Sequence, residues 1–79
     1  IDSPVAGYML ARRGVELAGP TAPALDALAA ALARAGSFPE ARNAQRQAMA
    51  RLTGPQRETL LDAYRDRLAR YVKGQPAEE

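Results

Sequence analysis

The chain has 79 residues, 18 of them alanine and 9 leucine, and contains no cysteine, histidine or tryptophan. Such a length supports one small core at most, and the missing residue types exclude a disulfide framework, a zinc site of the usual ligands and His-dependent nucleophilic catalysis. Eleven basic against nine acidic side chains leave a net charge of +2, too small to demand a polyanionic partner.

β-Branched and aromatic residues are scarce, so the composition favours helix over sheet. Proline and glycine then divide the chain into four helices. Ser3-Pro4 supplies an N-cap with proline at the first helical position, and Gly19-Pro20 ends that segment. Thr21 caps a second helix with Pro23 in its first turn, stopped by Gly36. Ser37-Phe38-Pro39-Glu40 has the S-x-x-E form of a capping box and opens a third helix reaching about Leu52. Thr53-Gly54-Pro55 separates it from a fourth, which runs to Lys73 before Gly74 and Pro76. The expected fold class is all-α, built of antiparallel helical hairpins, because links of two or three residues force neighbours to run in opposite directions. No run of apolar residues approaches the roughly 20 that a spanning helix needs.

Each helix carries a stripe at helical spacing. The second presents Leu25, Leu28, Ala29, Leu32 and Ala35. The third presents Phe38, Ala41, Ala48 and Leu52, and the fourth Leu60 or Leu61, Tyr64, Leu68, Tyr71 and Val72. Small residues dominate the first: Gly7, Ala11, Gly14 and Ala18 share one face. Glycine inside a helix costs about 1 kcal/mol relative to alanine, so two on one stripe suggest that another helix passes close by.

The segments Gly14 to Ala18 and Ala48 to Leu52 lie 34 residues apart, each just before a helix break. Thirty-four is the period of the tetratricopeptide repeat. Leu25-x2-Leu28-Ala29-x2-Leu32, then Gly36-Ser37-Phe38, then Ala41 and Ala48, fall at the positions of that pattern. Over roughly residues 5 to 76 the chain resembles a tetratricopeptide array. The resemblance implies the second helix of a preceding repeat at 4–19, one helix-turn-helix unit at 21–53, a C-terminal capping helix at 55–74 and a flexible tail at 75–79. Departures are visible. Leucine replaces the aromatics at Leu25 and Leu32, Gln45 stands where the pattern has a large aromatic, and the terminal proline is displaced to Pro55.

About three stacked repeats are usually needed to stand alone, and the chain opens on Ile1. A segment of a larger chain, or an accessory subunit docked in a larger assembly, is therefore expected. The function implied is a protein–protein interaction scaffold whose partners are other proteins or preceding repeats. By resemblance its groove takes in Pro23, Asp26, Ala30, Ala33 and Arg34; too few of the basic and amide side chains of a carboxylate clamp are present. Tyr8, Met9, Asp26, Ala30, Arg34 and Phe38 are the candidate contact residues, with Tyr8, Met9 and Phe38 as apolar anchors.

The alternative is a nucleic-acid-binding helical domain using its ten arginines. Against it, Glu58, Asp62 and Asp66 interleave with the basic residues, as on a solvated face. Those three carboxylates are also the nearest approach to a catalytic cluster, and no phosphate-cradling loop accompanies them, so no enzyme activity, cofactor, metal or small-molecule substrate is expected. The Ala, Arg and Leu bias looks like a high-GC bacterial genome and leaves cytoplasm and periplasm both open.

Overall fold

A computed structural model describes residues 4–76, with side chains from residue 9 except that of residue 18. Its described residues form four α-helices and no strand: α1 (Pro4–Ala18), α2 (Ala22–Arg34), α3 (Phe38–Ala50) and α4 (Gly54–Val72). The fold is all-α, and successive helices pack against one another in chain order. The expected cap at Ser3 lies outside the described residues.

Local chemistry explains the boundaries. The Thr21 hydroxyl accepts the Ala24 amide N–H at 3.3 Å, capping α2. Gly36, at φ +84°, closes the same helix. Its N–H donates to the Ala33 carbonyl at 3.0 Å and that of Ser37 to Leu32 at 2.9 Å, the paired bonds of a Schellman motif. Gly74 ends α4 in the same way, through Gly74 to Tyr71 and Gln75 to Arg70. The capping box expected at Ser37 and Glu40 does not form, since Ser37 makes no side-chain cap bond. Its backbone already serves as the last residue of the α2 motif. At φ −91° and ψ 67° it departs from the extended conformation an N-cap needs.

Two apolar clusters fix the helix directions. In the first, Ala22 and Leu25 near the start of α2 meet Ala48 near the end of α3, Leu52 and Tyr64 of α4. In the second, Ala29 and Ala33 late in α2 meet Ala41 and Ala44 early in α3, with Tyr71 from the end of α4. So α2 and α3 form an antiparallel hairpin, and α4 runs antiparallel to α3 and parallel to α2. Ala29 and Ala41 are both fully buried, and such small side chains let the α2 and α3 backbones approach closely.

Three positions depart from the sequence stripes. Ala35 is exposed, because it is the C-cap where α2 leaves the hairpin. Val72 is 59% exposed: with Tyr71 turned inward, the next residue lies about 100° around the helix. Gly14 is exposed, and a Cβ there would meet nothing within 4 Å. Among the described residues, no neighbour therefore requires the glycine.

Candidate interaction surface

Among the described residues, three of the four exposed large apolar side chains stand on the outer side of α1. Met9 is 63% exposed, Leu10 72% and Leu17 76%. Ala11 and Val15, on the opposite side of the helix, are half-buried. Leu10 and Leu17 are two turns apart and share a face with Gly14. Arg13 stands beside them, and Arg12 pairs with Glu16 at 3.5 Å on the solvated flank. Of the expected anchors, Met9 lies on this face, while the side chain of Tyr8 is outside those described.

The other candidate residues scatter. Phe38 is half-buried and packs against the second cluster, together with Leu32. Ala30 is half-buried, and Pro23 and Arg34 are exposed. Ala33, expected to line the groove, is only 3% exposed and sits in the core, since it falls one turn after Ala29 on the side facing α3.

Asp26 is tied into the interior. Gln45, wholly buried on α3, donates from Nε2 to Asp26 Oδ1 at 3.1 Å and to the Tyr64 backbone carbonyl at 3.2 Å. Arg67 on α4 donates to the other carboxylate oxygen of Asp26. The Arg67 guanidinium also lies 5.5 Å from the centre of the Tyr64 ring, within cation–π range. The hydrogen bond to Asp26 holds the guanidinium pKa above its ordinary value. Burial pushes the Tyr64 phenol up; the Asp26 charge adds to that rise and Arg67 partly offsets it. One atom of this network stays unsatisfied: Gln45 Oε1 is buried with no hydrogen-bond partner among the described residues. The amide orientation is set by chemistry, because both of its bonded neighbours are acceptors.

Sequence reasoning missed Gln45, Arg67, Leu10 and Leu17. A signal existed for three of them. Glutamine where the repeat pattern has an aromatic marks a polar core position, and Leu10 and Leu17 repeat at two turns off the small-residue stripe.

Elsewhere the chemistry is sparse. A shallow cavity of about 560 Å³ is lined by Gly19, Pro20, Thr21, Ala22, Pro23, Arg51 and Gln56, with Arg51 its single charged residue. Among the described residues, no group of three His, Cys, Asp or Glu side chains is placed to hold a metal ion. No helix among them is long and apolar enough to cross a membrane. The chain matches no family model, no curated protein and no solved structure.

Proposed function

We propose that the chain is a protein–protein interaction module of the tetratricopeptide kind, in which α2 and α3 form the helix-turn-helix unit, α1 presents a docking face and α4 closes the far side. It works within a larger bacterial chain or as an accessory subunit of a larger assembly. The observation that carries this reading is the outer side of α1. Three large apolar side chains, each more than half exposed, stand on a helix whose other side is packed. Contiguous apolar exposure of that sort marks association surfaces rather than solvated ones. The parallel placement of α2 and α4, both packed against α3, gives further support, since stacked hairpins repeat helix direction in this manner. Arg67 and Arg12 are engaged by Asp26 and Glu16, which weakens a reading based on arginines free to meet phosphates.

Photo-crosslinking in the native host tests the proposal. A benzophenone side chain at Leu10 or Leu17 is expected to yield one discrete protein adduct, and the same group at the exposed positions Glu58 or Arg65 none. Equal labelling at all four positions, or adducts with RNA that disappear as salt rises, would overturn it.

A further inference from the structure

The outer side of α1 has the same layout read in either direction. Leu10 and Leu17 stand two turns apart, and the midpoint between them falls between Arg13 and Gly14. A second α1 laid antiparallel across the first, about a two-fold axis through that midpoint, puts Leu10 of each chain against Leu17 of the other. It also puts Arg13 of each opposite Gly14 of the other. A Cβ at Gly14 would meet nothing within 4 Å. The position therefore has room for the aliphatic stem of an incoming arginine.

The flanks match as well. At 100° per residue, Met9, Arg13 and Glu16 lie to one side of the leucines, and an antiparallel two-fold pair sets that flank against its own copy. Glu16 of one chain then lies about 3 Å along the helix from Arg13 of the other, twice over. A parallel pair would instead set the two arginines level with each other. Within one chain, Oε2 of Glu16 meets Nε of Arg12 at 3.5 Å, which leaves Oε1 for the incoming guanidinium. A shallow hollow of about 410 Å³, lined by Met9, Leu10, Arg12, Arg13 and Glu16, opens on the same flank. Leu17 of the second copy reaches its rim at the level of Leu10.

We infer that the outer face of α1 binds a second copy of the chain, as an antiparallel two-fold pair centred between Arg13 and Gly14. Leu10 and Leu17 supply the apolar contact and Gly14 the close approach. The reciprocal charges of Arg13 and Glu16 set the direction. Two faces of this length bury less than the roughly 1,200 Å² of a standard interface, so the pair is weak and reversible. The inference rests on the reading of α1 as a docking face and names its occupant.

Cysteine crosslinking of the full chain tests it, because the sequence has no cysteine of its own. Leu10→Cys and Leu17→Cys each alter an exposed side chain. In the antiparallel pair, like positions are about 10 Å apart along the axis, too far for a disulfide, while position 10 of one chain meets position 17 of the other. In a glutathione redox buffer, an equal mixture of the two variants is expected to give at least ten times the disulfide-linked dimer of either alone. Adding Arg13→Glu to both variants should lower that yield at least threefold. Pairing Leu10→Cys/Arg13→Glu with Leu17→Cys/Glu16→Arg should restore it. As much dimer from a single variant as from the mixture, or a yield indifferent to Arg13→Glu, would overturn the inference. A photo-adduct from Leu10 with a different protein, beside no dimer from the mixture, would remove the second copy and leave α1 standing as a docking face.

Discussion

Arg67 on α4 and Asp26 on α2 form an ion pair between helices whose main packing partner is α3, not each other. The Arg67 side chain is 38% exposed and that of Asp26 18%, so solvent screens the pair from one side only. Gln45 holds the carboxylate from beneath. The arrangement fixes how far α4 can slide along the hairpin, because Asp26, Gln45 and Tyr64 must stay in register together.

Three substitutions separate the parts of this network. Arg67→Met removes a partly screened pair and is expected to cost about 1 kcal/mol. Asp26→Asn keeps an acceptor for Gln45 and should cost about the same as Arg67→Met. Asp26→Ala also strands one buried N–H of Gln45, raising the loss to about 2–3 kcal/mol. Urea titrations of the three variants check the ranking. An Asp26→Asn variant as unstable as Asp26→Ala would show that the charge matters and the Gln45 bond does not.

Gln45 itself gives a sharper contrast. Gln45→Ala leaves a cavity in a site with no access to solvent and should destabilise by about 2–4 kcal/mol. Gln45→Met fills the space and removes the unsatisfied Oε1 together with the two donated bonds. Its cost is expected to stay below about 1.5 kcal/mol. Thermal melts of the pair decide it; near-equal losses would mean that the hydrogen bonds, not the volume, hold α3 to its neighbours.

Helix content was legible in the sequence because Pro and Gly act locally: Thr21, Gly36 and Pro55 each end or open a helix with chemistry contained within a few residues. The alanine seam was legible too, since Ala29 and Ala41 keep helical spacing with their neighbours. The polar network was not. Asp26, Gln45 and Arg67 lie 19 and 22 residues apart, and nothing local distinguishes Asp26 from a solvated acid or Arg67 from Arg70. Ser37 failed for a related reason. Its N–H, which a capping box would donate to Glu40, is already given to Leu32 in the Schellman motif, while its carbonyl still accepts the Ala41 N–H at the start of α3.

Close approach at the seam has a mutational consequence. Ala41 and Ala29 are both fully buried in one cluster with Tyr71. Ala41→Leu must displace that ring or part the helices, and is expected to cost about 1–3 kcal/mol with a lower melting temperature. Exposed Ala27→Leu on the same hairpin should change stability by no more than about 0.5 kcal/mol. Indistinguishable melting curves for Ala41→Leu and the unaltered chain would remove the seam from the account of the fold.

The Tyr64 phenol gives a pH dependence at the alkaline end. Its pKa in the folded chain is raised by burial above the ordinary 10.0. Between those two values the folded state retains a proton that the unfolded state has lost. Stability is therefore unaffected by this group below about pH 10 and falls as pH rises through the folded value. Difference titration at 295 nm between the chain and Tyr64→Phe is expected to give a midpoint above 10. A midpoint at or below 10 would mean that the ring is wetted and the first cluster open.

Glycine substitutions at two sites should move stability in opposite directions, and the contrast bears on function. Gly36 has φ +84°, where an L side chain is strained, so Gly36→Ala is expected to destabilise by about 1–2 kcal/mol. Gly14 lies inside α1, and a Cβ there meets nothing within 4 Å. Gly14→Ala should therefore stabilise the isolated chain by about 0.5–1 kcal/mol, through better helix propensity alone. Gly14 shares the apolar face of Leu10 and Leu17, where absence of a Cβ admits a neighbouring backbone. Gly14→Ala is thus expected to raise the melting temperature while reducing the α1 crosslinking yield from Leu17. A variant that gains stability with full crosslinking would show that the partner touches Leu10 and Leu17 without approaching the helix backbone.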